Sequence, residues 1–150
     1  MSRTIYVLNG PNLNLLGVRE PQLYGNTTLA EVAQLCQRVA GELGLGCEFR
    51  QTNHEGVLVD WVQEAREKAV AVVINPAGLS FRSIPLLDAL KTLDQPIAEV
   101  HVTNIHRRDA LYQSSLVSLA ATGVICGFGP IGYELAIRAL AQSLAAAPAP

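Results

Sequence analysis

Val70-Ala-Val-Val-Ile74-Asn75-Pro-Ala-Gly78, then Ile84–Leu93, then Ile97-Ala-Glu-Val-His-Val102 is the stretch that decides the fold. Two short runs rich in Val and Ile bracket a segment with helical period. A strand, a helix and a strand in that order make a right-handed crossover, so the two strands lie parallel in one sheet. The pattern extends in both directions. Thr4–Leu8, Cys47–Gln51 and Gly123–Cys126 read as further strands. Between them Leu29, Val32, Ala33, Cys36, Val39, Ala40 and Leu43 share one helical face. Thr28 with Glu31 makes a capping box at its start, and Gly44 sits just past its end. Leu58, Trp61, Val62, Ala65 and Ala69 trace another helix, Arg107–Leu116 a shorter one, and Gly132–Leu144 the last.

Strands alternating with helices predict an α/β fold. It is a five-stranded parallel sheet in the flavodoxin-like order 2-1-3-4-5, with helices on both faces and each strand buried. Residues 1–150 read as one domain, with a frayed tail at 145–150. The chain is 49% apolar, 16% charged and carries a net charge of −2. A chain of 150 residues buries roughly 70% of its unfolded surface, so a core forms without staples. With 11 Lys+Arg against 13 Asp+Glu there is no basic excess, which argues against nucleic acid as a partner. Cys36, Cys47 and Cys126 form no motif, and a reducing cytoplasm is the simplest setting. Ile5-Tyr-Val-Leu8 is too short for a signal-peptide core. Ala110–Tyr133 carries no charge, but its Gln, Ser, Gly and Pro residues suit a strand with loops better than a membrane helix.

In such a fold, ligands sit beyond the carboxyl ends of the strands. Those ends read Asn9-Gly-Pro-Asn12, Thr52-Asn53-His54, Asn75-Pro76, His101-Val102-Thr103-Asn104 and Gly127-Phe-Gly-Pro-Ile-Gly132. Amides, hydroxyls and an imidazole thus converge on one edge, which suits a small ligand with several oxygens. Gly127-x-Gly129-x-x-Gly132 matches a dinucleotide fingerprint in part. The acidic residue that should follow at the end of another strand is missing, so a turn packing the last helix is the better reading. His101 and His106 lack ligand partners at metal spacing. Lys68 and Lys91 lie at polar helix ends, away from strand ends, so imine chemistry is disfavoured. No cofactor and no metal is expected.

Two segments carry chemistry. Glu99 and His101, two apart on one strand, share a face. A Glu buried there needs hydrogen bonds, and beside a histidine it fixes the tautomer and favours the protonated ring. That is a general-acid arrangement or a structural pair; the pattern alone leaves both open. Gly17-Val-Arg19-Glu-Pro-Gln-Leu-Tyr24-Gly25 has the length and composition of an active-site lid. A phenol is a poor base at neutral pH unless a cation sits beside it, and Arg19 is the cation at hand.

Asn9–Gly25, Gln51-Thr-Asn-His-Glu-Gly56, Glu99-Val-His-Val-Thr-Asn-Ile-His106 and Gly123–Tyr133 are long, specific motifs, and with them the chain resembles the type II 3-dehydroquinate dehydratases along nearly its whole length. The resemblance implies a cofactor-free anti elimination of water from 3-dehydroquinate, a cyclic hydroxy-keto acid, through an enolate. It implies Tyr24 as base and Arg19 keeping it anionic. Asn12 would hold a water on the enolate oxygen, and His101 would act as acid oriented by Glu99. Asn75, Val102 and Thr103 would hold the carboxylate and hydroxyls. Asp88 would reach a neighbouring subunit's site in a dodecamer built as a tetramer of trimers.

The chain departs from the family in one region. Where the family reads Thr-His-Thr-Ser, it has Ser80-Phe81-Arg82-Ser83, so Phe81 replaces a substrate-binding histidine. Tyr112 replaces a substrate-binding arginine, Leu87 an arginine and Thr103 a serine. Arg82 and Arg107 are the candidates to compensate. A paralogue with an altered substrate, or a ligand-binding or regulatory role, is the alternative reading that these changes keep open.

Overall fold

The computed structural model describes residues 3–146. Strands β1 (Thr4–Asn9), β2 (Gly46–Gln51), β3 (Ala71–Asn75), β4 (Ile97–His101) and β5 (Gly123–Cys126) form one sheet in the order β2-β1-β3-β4-β5. Every pairing is parallel. The predicted order and direction therefore hold. Helices α1 (Pro21–Tyr24), α2 (Leu29–Glu42), α3 (Glu55–Lys68), α4 (Ile84–Leu90) and α5 (Ile131–Ala146) complete the regular structure.

The period-two alternation of the strands divides the core into two layers. Ile5, Val7, Val73 and Val100 pack with Val32, Cys36 and Val39 of α2 and with Tyr133, Ala136 and Ile137 of α5. Tyr6, Leu8, Val72 and Ile74 pack on the other face, with Leu58 and Val62 of α3 and Leu86 and Leu90 of α4. β1, β3 and β4 are buried on both faces apart from Thr4.

β2 and β5 correct one expectation, because both are largely half-buried or exposed. Each is a sheet edge with a neighbour strand on one side only. The predicted helix over Arg107–Leu116 is also absent. Short 3₁₀ turns at Ile105–Arg107 and Ala110–Tyr112 take its place. The last helix runs on through Ala145 and Ala146, so that part of the expected tail is ordered, and residues 147–150 lie outside the described residues.

Thr28 accepts a bond from the Glu31 backbone, and Glu31 reaches back to the Thr28 backbone, so the capping box forms as predicted. Thr28→Ala removes one side of it and should cost about 1 kcal/mol. A thermal melt should show a drop of roughly 3 °C for a chain of this size. An unchanged melting temperature would mean that α2 is held by packing alone. Gly132 marks where α5 meets the sheet. A Cβ there would sit 3.4 Å from Val100 and 3.5 Å from Ile125, so the glycine-rich turn serves close helix–sheet packing.

Candidate active site

The loops after the strands meet at the carboxyl edge of the sheet and are tied to one another. Gly10 donates its N–H to the Asn75 carbonyl at 2.8 Å. A Cβ on Gly10 would lie 2.3 Å from the Pro76 oxygen, so no larger residue fits. Asn53, after β2, accepts from the Asn12 N–H at 2.9 Å and from Gln51 at 3.0 Å. Asn12 and Ala77 both hold left-handed backbone conformations, with φ of 71° and 52°. Non-glycine residues hold this conformation at a cost, and it concentrates where loops are shaped for function.

Beneath these loops lies a buried polar latch. The Tyr133 hydroxyl donates to Asn9 Oδ1 at 2.7 Å and accepts from Asn75 Nδ2 at 2.8 Å. Asn75 Oδ1 accepts from the Ala77 N–H at 3.2 Å, and Asn9 Nδ2 donates to the Arg50 carbonyl at 3.0 Å. Burial pushes the Tyr133 phenol far above its ordinary value, so it stays neutral and can both donate and accept.

A cavity of about 210 Å³ opens above the edge. Asn12, Arg19, Tyr24 and Asn75 line it from the β1 and β3 loops, and Phe81, His101, Val102, Thr103 and Tyr112 from the rest. The structure brings these nine residues to one cavity. Glu99 lies behind His101, fully buried, its Oε2 2.5 Å from His101 Nε2. The Ser118 hydroxyl donates to Glu99 Oε1 at 2.6 Å. Burial alone would raise the Glu99 carboxyl, but the hydrogen bonds from His101 and Ser118 outweigh it and hold the group below its ordinary value. Glu99 is therefore an anion at neutral pH, and it holds the imidazole by one nitrogen.

Tyr24 sits at the end of α1, half-buried, with Gly25 next in the chain at φ 82°. The Arg19 guanidinium lies 5.1 Å from the centre of its ring. Arg19 also pairs with Glu20 at 3.3 Å, both about two-fifths exposed, a contact worth at most about 1 kcal/mol. A second cation comes from Arg108, 5.7 Å from the Tyr24 ring.

Three positions fall elsewhere. Asp88 is exposed on α4 and does not line the cavity of its own chain. Arg82 and Arg107, the expected compensating cations, do not line this cavity either; Arg108 does. Arg108 and Ser118 escaped the sequence reading. The Arg107-Arg108 pair was a signal, but helical period gives no guide to which of two neighbours faces inward in a 3₁₀ turn.

A family model described as "Dehydroquinase class II" matches residues 3–141. The chain belongs to this family. The 3-dehydroquinate dehydratase of Mesorhizobium japonicum is 54% identical, over 95% of this chain and 99% of that protein. That of Phenylobacterium zucineum is 56% identical, over 94% and 97%. The crystal structure of the type II dehydroquinase from Propionibacterium acnes superimposes with a TM-score of 0.91 at 46% identity, covering 95% of this chain and 98% of that one. The dehydroquinase fold thus holds across nearly all of both chains. Among the described residues no helix is long and apolar enough to cross a membrane.

Proposed function

We propose that this enzyme dehydrates 3-dehydroquinate to 3-dehydroshikimate by anti elimination. The observation that carries the reading is the presence of two poised groups on one cavity. Tyr24 has two guanidinium groups against its ring, and His101 has an anion behind it. Tyr24, as phenolate, takes the proton next to the ketone, and Arg19 and Arg108 offset the charge on its oxygen. The electrons pass into an enolate, whose oxygen is steadied by a water held at Asn12. The enolate then collapses, the carbon–oxygen bond breaks, and His101 gives the departing hydroxyl its proton. Water and the enone are the products. Glu99 keeps the imidazole oriented, so the ring nitrogen that does not face Glu99 is the one that serves the leaving group. Thr103 and the Val102 backbone hold the carboxylate and hydroxyls. Asn75 is already bonded to Tyr133 and Ala77, so it shapes the loop and keeps one N–H for the substrate.

Mixing purified protein with 3-dehydroquinate should raise the absorbance of the conjugated enone. A folded protein that gives no enone would overturn the assignment.

The reading extends to assembly. Asp88 completes the site of a neighbouring subunit in a dodecamer of trimers. Its exposure supports this, as do the apolar side chains Val124, Phe128, Ile131 and Leu135 left exposed on β5, on α5 and on the loop between them. Asp88→Asn should lower turnover with the melting temperature unchanged. Reassembling that variant with an excess of the inactive Tyr24→Phe chain should restore part of the activity, through sites that draw Tyr24 and Asp88 from different subunits. No recovery in the mixed assembly would sink the shared-site reading. The three cysteines are free thiols, and burial pushes Cys36 far up and Cys47 up to about 11, so both stay protonated at neutral pH.

A further inference from the structure

One wall of the cavity is a run of side chains in ring-to-ring contact, ended by a guanidinium. Phe81 lies 6.2 Å from the His101 imidazole, its plane inclined by only 29°. Tyr112 meets Phe81 edge-on, with centroids 5.5 Å apart and an interplanar angle of 81°. Arg108 caps the run, its guanidinium carbon 4.0 Å from the centre of the Tyr112 ring. All four side chains line the cavity. Phe81 offers neither donor nor acceptor, and Tyr112 offers a single hydroxyl. Arg108 keeps its five N–H donors and is the polar end of this wall.

A wall of this kind recognises a ring differently from one built of paired donors. A site that hydrogen-bonds a substrate hydroxyl with buried groups rejects the analogue lacking it by about 10⁴–10⁵, because its own polar groups are left unpaired. The Phe81 face leaves nothing unpaired when the hydroxyl that meets it is absent, and its discrimination is about 10² or less. The leaving hydroxyl and the proton beside the ketone are untouched by this difference, since Tyr24 and His101 serve them.

We propose that the wall of Phe81 and Tyr112 frees this site from at least one secondary hydroxyl of the substrate ring, so that its substrate class includes ring-deoxygenated cyclic β-hydroxy ketone carboxylates. The inference rests on the dehydratase reading above and narrows what that site selects. The chemistry of the wider class is the same elimination. One carbon–hydrogen and one carbon–oxygen bond break, one ring double bond forms, and water leaves with the proton from His101. No other reactant is required.

The test compares 3-dehydroquinate with two analogues, each lacking one of its secondary hydroxyls, in the wild-type protein. For at least one analogue kcat/KM should stay within about 10² of the parent value. In Phe81→His with Tyr112→Arg, the same ratio should widen at least tenfold, chiefly through KM. Phe81→His alone stands in if the double variant does not fold. Both analogues slower by more than 10² in the wild type, or a ratio unmoved by the substitutions, overturns the inference while leaving the dehydratase reading in place. Turnover of an analogue without turnover of 3-dehydroquinate overturns both, since the site then rejects the hydroxyls. Turnover of none of the three overturns both.

Discussion

Tyr24→Phe abolishes turnover while leaving the fold and the cavity as they are: kcat falls about 10³-fold, near 4 kcal/mol of transition-state stabilisation. The substitution removes one oxygen from a half-buried side chain that has no hydrogen bond of its own to another side chain among the described residues. The ring stays, and with it the contacts to Arg19 and Arg108. Substrate binding, followed by calorimetry on the inactive variant, should therefore change less than threefold. Wild-type turnover in the variant would remove Tyr24 from the mechanism and return the base to be found elsewhere in the cavity.

Glu99→Ala acts on both stability and rate. It leaves His101 buried without its partner and the Ser118 hydroxyl without an acceptor. Breaking a buried pair from one side costs about 3 kcal/mol or more, a fall in melting temperature of roughly 10 °C. The freed imidazole also loses its orientation, and kcat should fall at least about 10². Glu99→Gln keeps an acceptor oxygen for only one of His101 and Ser118 and turns its NH2 on the other, so it should recover part of the stability. The pH dependence separates the charge from the hydrogen bond. The Glu99 carboxyl is held below its ordinary 4.5 in the folded state. Its contribution is therefore complete above that value and declines as pH falls through the folded one. The stability advantage of wild type over Glu99→Gln should be constant near neutrality and shrink from about pH 5 downward. An advantage that grew on acidification would reverse the sign and show that Glu99 is neutral in the fold.

Much of this architecture was written into local pattern. Val70–Ile74 and Ile97–Val102 are apolar on both faces because their strands are covered on both sides, and a parallel sheet follows from that. The parallel sheet in turn put Asn12, Asn75 and His101 on one edge before any distance was known. The edge strands were harder to read, since Glu48 and Arg50 on β2 and Gly123 and Val124 on β5 answer to one neighbour instead of two. The segment from Arg107 to Leu116 was misread because a 3₁₀ turn repeats every three residues and shows no stable face to a helical-period reading. The Tyr133 latch left no local trace, because its partners stand 124 and 58 positions away along the chain.

That latch also sets an order of events during synthesis. Asn9 and Asn75 leave the ribosome early, but the phenol that satisfies both emerges only with α5. Until then Asn9 Oδ1 and the Asn75 N–H that faces it have no partner except water, and sealing them from solvent would be costly. A nascent chain can pair β1, β2, β3 and β4 while the floor of its cavity stays wet. The catalytic edge is thus the last part of the protein to close, and no shortened chain that stops before Tyr133 acquires it.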